Sequence, residues 1–258
     1  MGRLTLIFLC LAILVPARAQ VRDSSALADV PYDIPRAERF SPLQAVAPAV
    51  LFAAGAAGVD WDFYDRNINT PIKDYGDRLR SEYGASSLDN WLQYVPMAAY
   101  LGFGAIGKGG HRFMEHFVAG ATSWAAMGIL VNSIKYTVKD LRPDGSSRNS
   151  FPSGHSATAF MGAEMVRVEY GGWWGAGAYG IATAVALMRV YNGRHWFNDL
   201  LGGAAIGVLS AHIGYWMLPL ERRWFGIRPG VEMAVVPYAI PSGMSSPPSF
   251  GLSAACSF

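Results

Sequence analysis

Long uncharged stretches alternate with short charged ones along the chain, on the length scale of helices rather than strands. Residues 41–59, 91–107, 117–134, 171–188 and 200–220 carry no Asp, Glu, Lys or Arg. Each is at or near the roughly 17–25 residues that a helix needs to cross a hydrocarbon core. A shorter apolar helix is expected from His155 onward, interrupted by Glu164. A carboxylate facing lipid is costly, so Glu164 is expected to face the bundle interior or to lie near an end. Many of the stretches are rich in Gly and Ala, which let helices approach closely. The pattern predicts an all-α fold, a six-helix bundle embedded in a membrane. The competing architecture is a soluble bundle with an apolar core, since Pro48, Pro96 and the many small residues leave several stretches only mildly hydrophobic.

The intervening segments complete the division. Residues 20–40 are polar, with Pro31 and Pro35, and read as an extended lead-in. Residues 60–90 are charged and aromatic and read as a surface excursion, and 41–220 form one domain. The tail, 221–258, carries Gly, Ser and Pro, with a strand-like alternation around 231–239. Arg3, the apolar run Leu4 to Val15 and Ala17-Arg18-Ala19 have the form of an export signal covering residues 1–19. The alternative is an uncleaved anchor, for which the apolar part is short.

Composition supports the membrane reading. Hydrophobic residues make up 52% and charged residues 16%, where an average soluble domain has about 25% charged. The 8 Trp and 12 Tyr suit a membrane–water interface. Loss of residues 1–19 would remove Arg3 and Arg18 and leave 19 basic against 19 acidic residues, which gives no electrostatic case for nucleic acid. Cys10 falls in the signal and Cys256 is then alone, so neither a disulfide nor a cysteine metal site is expected.

Orientation follows from basic loops. Lys108 to Arg112 and Glu221-Arg222-Arg223 look cytoplasmic by the positive-inside rule, which puts the chain after Ile134 outside. Six spans ending inside conflict with a cleaved signal, which leaves the N-terminus outside. Either 41–59 does not span, or the signal is retained, or the domain is attached peripherally.

Three clusters carry chemistry. In the first, Lys135 and Arg142 are seven apart, expected on one face of one helix that Pro143 ends. Two fixed cations suit an anion with several oxygens, though cations at a helix C-terminus also complement its dipole. In the second, Ser153 caps a helix and Gly154 and His155 open it. Free backbone N–H groups at such a start form an anion site, beside which His155 can hold and donate a proton. A capped helix with an incidental histidine is the plainer alternative. In the third, Asn192-Gly193 marks a turn between Arg189 and His195, and Asp199 lies four residues past His195. A carboxylate on one ring nitrogen fixes the tautomer and frees the other as a nucleophile. His–Asp pairs also occur around metals, but cations surround this one where a metal would need more carboxylates or imidazoles.

Lys-x6-Arg-Pro, Pro-Ser-Gly-His and Arg-x5-His-x3-Asp, in that order over residues 135–199, resemble the type 2 phosphatidic acid phosphatase (PAP2) family. That family shares its fold with vanadium-dependent haloperoxidases, and the helix series over 41–220 matches its six-helix core. Its third motif usually begins Ser-Arg, where Met188 precedes Arg189 here. The resemblance implies that Lys135, Arg142 and Arg189 hold phosphate oxygens with Ser153 and the Gly154 backbone. It further implies that His195 attacks phosphorus with Asp199 orienting it, that His155 protonates the leaving oxygen, and that no metal or other cofactor is needed. The implied substrate is a phosphate ester or diphosphate of a membrane lipid at the periplasmic face of a bacterial inner membrane. Lipid A phosphate and undecaprenyl diphosphate are favoured over phosphatidic acid and phosphatidylglycerol phosphate. A soluble periplasmic class A acid phosphatase, a vanadium haloperoxidase and an inactive membrane scaffold are the rivals. His212 reads as a core residue, and His111 and His116 receive no role.

Overall fold

The computed structural model describes residues 38–227 and the backbone of 232–240 and 249–257. The signal-like residues 1–19 and most of the lead-in lie outside the described residues.

Helix α1 (Pro42–Ala57) begins with a proline at its first position, and the Gln44 side chain accepts from the Ser41 N–H at 3.0 Å. Such a box satisfies N–H groups that a helix start leaves free. After Asp60, at φ 57°, the chain turns by 84° into α2 (Asp62–Tyr83), which contains a π-helical turn at Asp65–Asn69. The charged stretch 60–90 is therefore largely helix, where the sequence suggested a surface excursion. Its polarity hid the period. Asp77 lies between Lys73 (2.7 Å) and Arg80 on the helix surface, and Arg80 Nη1 donates to the Tyr191 carbonyl at 2.6 Å. Pairs one turn apart support such a helix, and its Ile72 packs against Ala186, Val190 and Leu200.

A single turn, α3 (Asp89–Leu92), leads into α4 (Val95–Ala105), α5 (Phe113–Val138), α6 (Gly154–Tyr170), α7 (Gly172–Tyr191) and α8 (Phe197–Phe225). The six expected helices are present as α1, α4, α5, α6, α7 and α8, so the bundle is all-α as predicted. The tail adds β1 (Glu232–Ile240) paired antiparallel with β2 (Ser249–Ser257), Glu232 opposite Ser257.

Among the described residues, α5 and α8 are each long and apolar enough to cross a membrane, and the bent pair α1–α2 qualifies if taken as one span. The sequence suggested more spans than this. Helix α4 has 11 residues and α1 has 16, short of a hydrocarbon core, and the Gly-rich start of α7 lowers its hydropathy. Glu164 does face the interior, 2% exposed, and His212 reaches it through Nε2 at 2.8 Å.

Helix α8 is the centre of the bundle and packs on α1, α5 and α6. Its approach to α6 depends on glycine. A Cβ at Gly203 would stand 2.3 Å from the Ser153 carbonyl oxygen, and one at Gly207 2.3 Å from that of Ala157. This contact draws the start of α6 against the start of α8, where the Ser153 N–H donates to the Asp199 carbonyl at 3.0 Å.

Candidate functional site

Three junctions meet at one end of the bundle: the loop after α5, the start of α6 and the link from α7 to α8. Helix α5 ends at Val138 because Lys139 takes the left-handed conformation, φ 53° and ψ 41°. Lys135 is thus in the last helical turn, while Arg142 lies beyond it in the loop. The sequence put both on one helix. The left-handed residue intervenes before Pro143 can act, and the loop returns Arg142 to the site. Lys135 Nζ donates to the Asn149 carbonyl and, at 3.4 Å, to that of Ser150.

Ser153 caps α6 as expected, its Oγ accepting from the Ser156 N–H at 3.4 Å and from Ser156 Oγ at 3.0 Å. Gly154 and His155 are the first two residues of α6, so His155 stands at the positive end of the helix dipole. His155 Nε2 is 3.0 Å from Asn90 Oδ1.

Gly193, at φ 66°, turns the chain out of α7, and α8 begins at Phe197, two residues after His195. Asp199 caps that helix by accepting from the Trp196 N–H at 2.8 Å through Oδ2, and the same oxygen is 3.2 Å from His195 Nδ1. The Ser150 hydroxyl also donates to Asp199 Oδ2. Nδ1 of His195 is thereby engaged by Asp199, which makes Nε2 the candidate nucleophile. His195 and Asp199 are both buried. Arg189, in the last turn of α7, donates from Nη1 to Asp89 Oδ2 at 2.5 Å.

The cations converge on the histidines. Burial, and then the charges of Lys135, Arg189 and Arg142, hold His195 well below the ordinary histidine range. Burial and the Arg189 charge pull His155 down to about 4, against the opposing charge of Asp89. Asp140, at the loop start, is pushed up to about 7 by burial and then by the Asp199 charge. The Nε atoms of Arg142 and Arg189 are buried and have no hydrogen-bond partner among the described residues. Among those residues no group of three His, Cys, Asp or Glu stands close enough to hold a metal ion.

All eight residues singled out from sequence, Lys135, Arg142, Ser153, Gly154, His155, Arg189, His195 and Asp199, thus stand at these three junctions. Three more polar residues take part that sequence reasoning missed: Asp89, Asn90 and Ser150.

The sequence model of the PAP2 superfamily matches residues 117–223, the stretch from α5 to α8 that carries all eight. Residues 117–223 are thus similar to the PAP2 superfamily. The lipid A 1-phosphatase of Porphyromonas gingivalis is 41% identical over 141 residues, covering 52% of this chain and 32% of that protein. The bacitracin transport permease protein BcrC of Bacillus licheniformis is 32% identical over 95 residues, covering 34% of this chain and 45% of that protein. The chain thus matches less than half the length of either relative. A PAP2 type phosphatidylglycerolphosphate phosphatase from Bacillus subtilis aligns over 87% of this chain and 98% of its own, at a TM-score of 0.34 and 21% identity. With two helices long and apolar enough to cross a membrane, the chain is a membrane protein.

Proposed function

We propose that the PAP2 domain removes a phosphate from a membrane lipid through a phosphohistidine on His195, with no metal ion taking part. The observation that carries this reading is the convergence of three cations, Lys135, Arg142 and Arg189, on a His–Asp pair that faces a second histidine at a helix N-terminus. Phosphoryl transfer asks mainly for positioning and for stabilisation of charge on the equatorial oxygens, which fixed cations supply.

The roles follow from the contacts. Lys135, Arg142 and Arg189 bind the phosphoryl oxygens, together with Ser153 and the Gly154 N–H at the start of α6. Nε2 of His195 attacks phosphorus. Asp199 holds Nδ1–H and offsets the charge that the ring gains on phosphorylation. His155 gives a proton to the departing alkoxide, then takes one from the water that hydrolyses the phosphohistidine. Burial, and then the Arg189 charge, keep His155 neutral, and a bound phosphoryl dianion would offset the second of these, so the substrate itself favours the acid form.

The lipid part of the reading is supported by the two long apolar helices and by the named activity of the Porphyromonas gingivalis relative. Lipid A phosphate and undecaprenyl diphosphate are the favoured substrates. The basic loop 108–112 and the cluster at 221–223 meet at the bundle end opposite the pocket, where Arg222 Nε donates to Glu115 at 2.6 Å. By the positive-inside rule, this arrangement supports a pocket at the periplasmic face.

Phosphate release by the purified protein from lipid A and from undecaprenyl diphosphate, with and without EDTA and vanadate, tests the proposal. Release that survives EDTA and is blocked by vanadate is expected. Loss on chelation that a divalent metal restores, or vanadate-dependent bromide oxidation without phosphate release, would overturn it.

A further inference from the structure

We propose that Asp89 and Asn90 are positioning residues of the phosphate site, Asp89 holding the guanidinium of Arg189 and Asn90 holding the ring of His155. Neither belongs to the three sequence clusters, and both lie outside the stretch that matches the PAP2 superfamily. The inference rests on the function proposed above and adds a fourth chain segment to the same pocket.

Asp89 is 1% exposed and engages two groups at once. Its Oδ2 accepts from Arg189 Nη1 at 2.5 Å, and its Oδ1 accepts from Asn192 Nδ2 at 3.2 Å. A guanidinium held at one terminal nitrogen by a buried carboxylate has a fixed plane. The donors that remain, Nε among them, can then meet phosphoryl oxygens without reorganisation.

Asn90 acts on the other side of the pocket. Its Oδ1 lies 3.0 Å from His155 Nε2, so Nε2 carries the hydrogen and Nδ1 is left to face a ligand. The partner type differs from that of His195 in an informative way. Asp199 gives His195 a carboxylate, suited to a ring that gains charge on phosphorylation. Asn90 gives His155 a neutral amide, which orients the ring without fixing it in the charged state, as a group that both gives and takes a proton requires.

The pair is held on a pinned segment rather than a free loop. Asn192, in the link from α7 to α8, accepts from the Ser86 N–H at 3.1 Å and donates to the Ser86 carbonyl at 2.7 Å. Gln93 Nε2 donates to the Asn90 carbonyl at 2.9 Å. One asparagine therefore ties the segment that orients both side chains to the link that carries His195.

Two variants test this against a purely structural role, since Asn90 is exposed and Asp89→Asn keeps an acceptor for Asn192. Hydrolysis of hexyl phosphate and p-nitrophenyl phosphate would be measured with vanadate inhibition and thermal unfolding. Asn90→Ala should lower kcat/KM on hexyl phosphate about tenfold and change kcat/KM on p-nitrophenyl phosphate far less, because kcat/KM reports formation of the phosphohistidine, in which only the alkoxide needs the proton. Asp89→Asn should raise KM and the vanadate inhibition constant together, by about tenfold. Added to Arg189→Lys, it should cost little more than Arg189→Lys alone, because residues that act through one another are not additive. Equal losses on both leaving groups for Asn90→Ala, or a fall in unfolding temperature with parental kinetics for either variant, would overturn the proposal. A parent inactive on both esters would overturn the phosphatase reading as well, whereas an active parent matched by active variants would overturn only this one.

Discussion

At the end of the bundle away from the pocket, Arg222 donates to Glu38 at 2.6 and 2.8 Å and to Glu115 at 2.6 Å. His111 sits between Glu38 and Glu169, its ring nitrogens 2.9 and 2.7 Å from their oxygens. Glu169 also accepts the N–H groups of Gly110 and His111, at 2.7 and 2.9 Å. At the pocket end the pairing is incomplete. Lys135, Arg142 and Arg189 stand near Asp89, Asp144 and Asp199, yet two guanidinium Nε atoms lack an acceptor among the described residues. Closed polar networks rigidify a fold, whereas a site with unfilled donors reduces stability so that a ligand can complete it. The far end ties together the lead-in, α5, α6 and α8, and the pocket end keeps donors in reserve.

The comparison breaks most sharply at His195. His195→Ala should reduce turnover by at least about a thousandfold, since a nucleophile has no substitute, while the unfolding temperature changes little. At the far end the reverse is expected. Glu169→Gln should lower stability by about 3–5 kcal/mol, because it leaves His111 charged and short of a partner, with kcat in the surviving folded protein unchanged. Thermal unfolding in detergent and p-nitrophenyl phosphate kinetics on the same preparations check both.

The far end should also respond to pH in a defined sense. Burial pulls the His111 pKa down, but its bonds to Glu169 and Glu38 outweigh this and raise it from 6.5 to about 9. Glu169 is in turn held well below the usual carboxylate range despite its burial, by His111 and His116. Arg222 and Tyr215 complete the surroundings of the cluster. A raised folded-state value means that the His111 contribution is complete below pH 6.5 and is lost as pH rises through about 9. Unfolding temperature should fall over that window in the parent and fall less in His111→Phe. The smallest effect belongs to Met188→Ser, which restores the usual PAP2 residue beside Arg189. It should leave activity within about tenfold of the parent, because one neutral hydrogen bond is worth roughly 0.5–1.5 kcal/mol.

What could be read from sequence divides along the same line. Most of the pocket's charged members were legible because they sit at fixed offsets around helix ends, where Ser153 and Asn192-Gly193 act as punctuation. Asp89, Asn90 and Ser150 were not, since a single Asp, Asn or Ser has no period and meets its partner only through the tertiary fold. The Asp89–Arg189 contact spans 100 residues and the Asn90–His155 contact 65. The far-end network was opaque for the same reason, with 184 residues between Glu38 and Arg222. Helix α2 was missed because its many charged residues mask its few apolar positions, Ile72 among them. Arg142 was misplaced because nothing in the sequence marks the left-handed turn at Lys139.

Trapping the covalent intermediate tests the central claim most directly. The purified protein would be mixed with substrate, quenched in base, since a phosphohistidine is labile to acid, and mapped by mass spectrometry of its peptides. The account predicts an acid-labile phosphoryl group on His195 that is absent in His195→Ala. A phosphoryl group on His155 or Ser153, or none on His195 in a preparation that turns over, would contradict it.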